Sequence, residues 1–265
     1  PYDVDTGEYQ RIRKTYDQQL AKYVEDFGYK DIYIICKAHG HVMFTNNREA
    51  DTGTNLDHGP YKQEGLARLW AKVVEKGAFV VEDFSAYSPH DGQQAAFAGV
   101  PVFDKDENFV AVVAAQIPKQ PINGIVQQRE GMGRTGETYL AAMDQDSILY
   151  RSDLQTMGDG DYVVGFDATE IAPDYLKMTL EGEEVHDVFT DNAGNPVVVD
   201  TDVLELYGLD WAMVSKRSLA EAMTEAEGQQ EDYFTQFIQE YNFYDFFLIN
   251  ENGLVFYSVA EEADY

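Results

Sequence analysis

The stretch YKDIYIICKAHGHVMFTNNREAD, Tyr29 to Asp51, decides the architecture. Asp31 to Cys36 is an almost continuous apolar run, HGH at His39 to His41 supplies a turn, and Val42 to Thr45 returns, which is the pattern of a β-hairpin. Upstream, Tyr9, Ile12, Tyr16, Leu20, Tyr23, Val24 and Phe27 recur at three- and four-residue steps and Gly28 follows, which predicts one long amphipathic helix. Downstream, GPYKQEGLARLWAKVVEKG places Leu66, Leu69, Trp70 and Val73 on one helical stripe. Three strand-like runs come next, Ala78 to Phe84, Gln94 to Phe103 and Phe109 to Ile117, the last two joined by the polar turn DKDEN. The order helix, two strands, helix, three strands predicts an antiparallel five-stranded sheet with helices packed on one face.

Pro118 to Gln128 reads as helical, and the glycine-rich joint GMGRTG marks a boundary near Gly133. A second, shorter module then repeats the order: strands Thr138 to Ala142 and Ser147 to Arg151, a loop rich in Gly and Asp, a helix around Ala172 to Leu180, and strands near Val185 to Thr190, Pro196 to Thr201 and Trp211 to Ser215. The expected division is residues 1–27 as the N-terminal helix, 28–133 and 134–216 as the two modules, and 217–265 as a connecting helix and the start of a further repeat. That helix carries Leu219, Met223, Phe234, Phe237, Ile238 and Tyr241 on its apolar stripe. The ending FYDFFLINENGLVFYSVAEEADY matches the opening stretch with one gap, Asp245 with Asp31, Gly253 with Gly40 and Val255 with Val42. A hairpin without a partner sheet is marginal in water, so the natural chain is expected to continue past Tyr265 into another such module.

The 265 residues include 48 acidic and 19 basic side chains, a formal charge of -29. Such a field repels phosphate backbones and anionic headgroups, so no nucleic-acid partner is expected, and it suits solubility in a salty medium. Cys36 is the single cysteine, so no internal disulfide forms. No apolar run has the length of a membrane span.

RTGETYLAAMDQDSILYRSD (Arg134 to Asp153) followed by VVVDTDVLELYGLDWAMVSK (Val197 to Lys216) resembles the membrane-proximal half of double-Cache domains, the tandem PAS-like extracytoplasmic sensors of methyl-accepting chemotaxis receptors and related sensor kinases. GTNLDHGPY, VVEDFSAYSPHDGQQAAFAGVPVFD and VAVVAAQIP resemble the membrane-distal half. The resemblance covers Gly28 to Lys216. It implies an α+β fold of tandem PAS-like modules with antiparallel sheets and a long N-terminal helix. It also implies a periplasmic or extracellular sensor within an inner-membrane receptor, anchored by segments outside these residues, and it admits a homodimer. The distal module of this family holds a small ligand, here of the organic acid or amino acid class, and binding shifts one module against the other. The expected output is signal transduction without catalysis or cofactor.

The amino-acid-sensing branch of the family has Arg, any residue, Trp and an aromatic at the start of this segment, with an acid at the end of the module's last strand. Arg68, Leu69 and Trp70 fit the opening, Ala71 replaces the aromatic, and Gln116 stands in place of the acid. Arg68 suits a carboxylate in two-pronged geometry, although a surface arginine and a core tryptophan explain the pair equally well. Asp83, Tyr87 and Phe97 are expected to line the pocket mouth, where aromatic walls with a few polar anchors serve small molecules; core packing also explains Phe97.

Other motifs argue for little. Gly131, Gly133 and Gly136 spell G-x-G-x-x-G, but they follow a helix and precede a strand, the reverse of what aims amides at a pyrophosphate. Asp104, Asp106 and Asn108 open like a calcium loop, yet Phe109 and Ala115 occupy the positions of its glycine and closing glutamate. Cys36, His39 and His41 have zinc-ligand chemistry, but the matching C-terminal hairpin lacks them, so no metal is expected. No triad or nucleophile elbow is present. A secreted hydrolase and a structural or adhesive repeat protein are the alternatives to a sensor, the recurrence of the opening hairpin favouring the second.

Overall fold

The computed structural model of the chain describes residues 2–157, 160–224, 233–249, 253 and 255–260. Helix α1 (Gly7–Phe27) leads into strands β1 (Asp31–Cys36) and β2 (Val42–Thr45), helix α2 (Gly65–Lys76), and strands β3 (Val80–Tyr87), β4 (Gln93–Phe103) and β5 (Phe109–Ile117). After α3 (Gln120–Val126) come β6 (Glu137–Asp144), β7 (Ser147–Tyr150), α4 (Asp174–Leu180), β8 (His186–Thr190), β9 (Pro196–Leu206) and β10 (Leu209–Ser218). Helices α5 (Leu219–Thr224) and α6 (Tyr233–Tyr241) and strands β11 (Phe247–Ile249) and β12 (Val255–Ser258) follow. The expected continuous helix from Leu219 to Tyr241 falls partly on 225–232, outside the described residues.

Strand order is β2-β1-β5-β4-β3 in one five-stranded sheet and β7-β6-β10-β9-β8 in the other, the same antiparallel topology twice. The chain accordingly divides into two compact units, Pro1–Asn123 with Glu205–Leu209, and Gly124–Leu204 with Asp210–Tyr265. This is the α+β, tandem PAS-like architecture with a long N-terminal helix that the element order implied.

In the first unit α2 turns Leu66, Leu69, Trp70 and Val73 onto one face of the sheet, where they join Tyr33, Ile35, Phe97 and Val112 in the core. The approach is close because β4 has no side chain at Gly99, where a Cβ would lie 2.9 Å from Leu69 Cδ2. Helix α1 lies on the other face. Its Val24 and Leu20 meet Ile32, Phe44 and Val113, residues that alternate with the α2-facing ones. The sheet is thus covered on both sides, where helices on one face were expected. Thr6 caps α1 by accepting the Tyr9 N–H, and Gly28 ends it at φ 69°. Much of the apolar stripe stays exposed, Ile12, Tyr16, Tyr23 and Phe27 at 47–59%. Arg13 is buried instead, donating to the Thr45 carbonyl at 2.7 Å and lying over the Phe44 ring. The second unit packs Tyr175 and Leu176 of α4 against Tyr139, Tyr150, Val199 and Val214.

The hairpin β11–β12 copies β1–β2 in detail. Tyr33↔Thr45 and Ile34↔Phe44 precede an irregularity after Ile34, and Phe247↔Ser258 and Leu248↔Tyr257 precede one after Leu248. Asp31 accepts the N–H of Asn46, and Asp245 accepts the N–H of Ala260, 15 residues on in both cases.

Candidate ligand-binding site

Residues directly opposite in antiparallel strands share a face, and alternate residues of one strand do too. The pairs Asp31↔Gln116, Tyr33↔Ala114 and Tyr33↔Thr45 therefore send Asp31, Tyr33, Thr45 and Gln116 to the α2 side, and Phe97↔Gln116 adds Phe97. In β3 the register shifts between Glu82 and Ser85. This bulge inserts one residue into the alternation, so that Glu82 and Tyr87, five positions apart, both face α2.

One end of that face is buried and polar. Asp31, Tyr33, Thr45, Asp51, Tyr87, Phe97 and Gln116 are all at most 2% exposed. The Tyr87 hydroxyl donates to Asp51 Oδ2 at 2.5 Å, and the Tyr33 hydroxyl donates to Gln116 Oε1 at 3.1 Å. Phe97 stands between the two phenols, its centroid 6.0 Å from that of Tyr33 and 5.0 Å from that of Tyr87, both edge-on. His90 Nδ1 meets Glu49 Oε1 at 2.8 Å beside them. Burial pushes the carboxyl of Asp51 up to about 6 against the opposing hydrogen bond from Tyr87, and burial raises Asp31 to about 6 despite three backbone amides. The phenols of Tyr33 and Tyr87 are held far above their ordinary range, by burial first and by the Asp51 charge second.

The cluster holds more acceptors than donors. Asp51 Oδ1 and Glu49 Oε2 are buried and have no hydrogen-bond partner among the described residues. A buried polar atom without a partner costs about 1–3 kcal/mol. A ligand bearing N–H groups supplies what these oxygens lack.

The six residues expected at the site separate into two sets. Tyr87, Phe97 and Gln116 come together as described. Arg68 sits at the rim, its side chain 42% exposed, with Nε on Glu82 at 2.5 Å, Nη1 on the Gln63 carbonyl at 2.7 Å and Nη2 on Ser85 Oγ at 2.9 Å. Lys72 holds the other oxygen of Glu82 at 2.7 Å. Trp70 donates its indole N–H to the Cys36 carbonyl at 3.1 Å, at the end of β1 opposite Asp31 and Gln116. Asp83 lies in the bulge and accepts the Phe84 N–H at 2.7 Å. Among the described residues no group of three His, Cys, Asp or Glu is arranged for a metal ion.

No protein-family model matches the chain, and no curated protein matches it. Solved structures do. The extracellular domain of a protein named as a histidine kinase, rpHK1S-Z16, aligns with a TM-score of 0.52 at 11% identity, over 82% of this chain and 80% of that one. The ligand binding domain of the Pseudomonas aeruginosa amino acid chemoreceptor PctB, in complex with L-Gln, aligns with a TM-score of 0.50 at 14% identity, over 79% and 76%. The fold is that of a double-Cache sensor domain. An extracellular ligand binding receptor from Desulfohalobium retbaense aligns with a TM-score of 0.48 at 15% identity, over 72% of this chain and 30% of that one.

Within the double-Cache fold the polar cluster occupies the α2 face of the first sheet, under the loop from Asn46 to Glu64. Sequence reasoning singled out neither Tyr33, Glu49 nor Asp51 as site residues. The signal for Tyr33 was period two, since Asp31 and Tyr33 are the polar members of an otherwise apolar strand. Asp51 lies in a turn, DTGT, where an acid reads as solvated, and nothing local announces its burial.

Proposed function

We infer that this chain is the ligand-sensing region of a transmembrane signalling receptor, working in the periplasm or outside the cell and fixed to the membrane by segments beyond these residues. Its first unit takes up a small polar metabolite that carries a carboxylate and an amino group. The observation that carries this reading is the buried pair Asp51–Tyr87, with Asp51 Oδ1 and Glu49 Oε2 short of donors. An ammonium has three N–H donors and no acceptor, so it can serve both oxygens. The carboxylate falls to Arg68, whose Nη2 rests on Ser85, two residues before Tyr87 on the same face and so about 7 Å along the strand. That span is the size of an amino acid. The fold supports the reading, since it is shared with the L-Gln complex of PctB.

Because Asp51 and Tyr87 are fully buried, a ligand enters only when the covering loop parts from the sheet. A ligand that prefers one arrangement over the other shifts the population between them, and nothing beyond differential affinity is needed for a signal. Sensing of this kind binds its ligand and releases it unchanged.

A thermal-shift screen of amino acids, organic acids and simple amines tests the proposal. Hits should raise the melting temperature with the logarithm of concentration. Arg68→Ala should weaken the carboxylate-bearing hits and Asp51→Asn the amines. If no compound shifts the transition, or both variants leave every affinity unchanged, the site is wrongly assigned.

A further inference from the structure

The second unit repeats the strand pairing of the first with the opposite chemistry. Glu137↔Lys216 opens β6 as Asp31↔Gln116 opens β1, so Lys216 takes the place of Gln116. Both side chains are buried, at 3% and 5% exposure, with Nζ 3.3 Å from the Glu137 carboxylate. Glu137 also accepts the backbone N–H groups of Gln155 and Thr156, each at 3.0 Å, which ties down the loop after β7.

Beside this pair, on the α4 face, lies a cavity of about 940 Å³ whose walls include Arg129, Arg134, Thr156, Tyr162, Asn192 and Lys216. Small-molecule sites run from about 300 to 1,000 Å³. The Nε of Arg129 is buried and has no acceptor among the described residues, the converse of the donor-poor cluster in the first unit. Three of the chain's 19 basic residues meet here against an overall charge of -29. The carboxylates that face them are already engaged. Glu137 is held by Lys216 and the loop amides, and Asp191 accepts the N–H groups of Ala193 and Asn195 at 2.9 Å. Glu221 accepts those of Arg134 and Thr135 at 2.6 and 2.8 Å.

We propose that this cavity is a second binding site, for a small dicarboxylate, with one carboxylate on Arg129 and Arg134 and the other reaching Lys216. The first unit then reads a ligand through its ammonium and the second reads an anion, so that one ectodomain integrates two chemically distinct signals.

The test is calorimetric titration of the whole chain at constant ionic strength with succinate, with acetate and inorganic phosphate as comparison probes. Succinate should bind saturably and more tightly than acetate. Arg129→Gln should weaken it by about tenfold or more, the worth of a hydrogen bond to a charged group, with Arg129→Lys recovering part of the loss. Asp51→Asn, in the other unit, should leave it unchanged. Absence of saturable succinate binding, indifference to Arg129→Gln, loss on Asp51→Asn, or preference for phosphate would each overturn the assignment. Fluorescence of Trp211, 6% exposed on β10, reports whether each variant remains folded.

Discussion

Asp51→Asn should make the first unit more stable at neutral and alkaline pH. In the unfolded chain this carboxyl titrates near its ordinary 3.8, whereas in the fold burial keeps it protonated up to about 6. Below both values it is neutral in both states and its burial carries no ionic penalty. As pH rises the unfolded state releases the proton first, so the native state loses stability between about pH 4 and pH 7, and the loss amounts to about 3 kcal/mol at 1.36 kcal/mol for each unit of pKa difference. Asparagine keeps an oxygen for the Tyr87 hydroxyl and never ionises. The variant should therefore match the parent near about pH 4 and exceed it by about 3 kcal/mol near about pH 8. Urea unfolding in a Trp211→Phe background, where Trp70 alone reports on the first unit, measures the difference. A variant less stable than its parent at the alkaline end, or a difference independent of pH, would refute the claim that burial of this charge opposes folding.

Two further expectations follow from packing and charge. Gly99→Ala places a methyl 2.9 Å from Leu69 Cδ2 and 3.2 Å from Val73, and should lower the stability of the first unit by about 1–3 kcal/mol in thermal melts; an unchanged melting temperature would mean that α2 can ride outward freely. Lys216→Met leaves Glu137 buried without its cation and should cost the second unit about 3–5 kcal/mol, read from Trp211 fluorescence in urea, with Glu137→Gln in the same chain restoring part of it.

The architecture was legible because each element announces itself locally. Period two and period 3.6 alternate cleanly from Gly28 to Lys216, and the observed strands mostly shift or lengthen the expected limits: β3 runs Val80–Tyr87, β6 reaches Asp144, β9 reaches Leu206 and β10 spans Leu209–Ser218. The faces of β3 were not legible. Strict alternation from Val80 and Glu82 would turn Phe84 inward and Tyr87 outward, and the bulge that reverses this depends on pairing with β4. Burial of polar side chains was equally hidden. Arg13 reads as a solvated helix residue and Asp51 as a turn residue, yet each is enclosed by groups distant in sequence, the Thr45 carbonyl for one and Tyr87 for the other. The stripe on α1 erred in the other direction, since periodicity marks an apolar face without stating what lies against it.

The carboxylate at the head of β1 has a consequence for the order in which the chain folds. Asp31 fastens Asn46 across 15 residues, whereas Tyr33 meets Gln116 across 83. By chain-entropy scaling the longer closure costs about 1.5 kcal/mol more than the shorter. The hairpin is thus the inexpensive step, assembled from neighbours and latched at its far end before the central strand β5 has been positioned. During synthesis it follows α1, whose Val24 and Leu20 are already there for Ile32 and Phe44 to pack on, and precedes β5, which begins only at Phe109. Asp245 latches the last hairpin over the same interval, so a folding seed of one design stands at both ends of the chain.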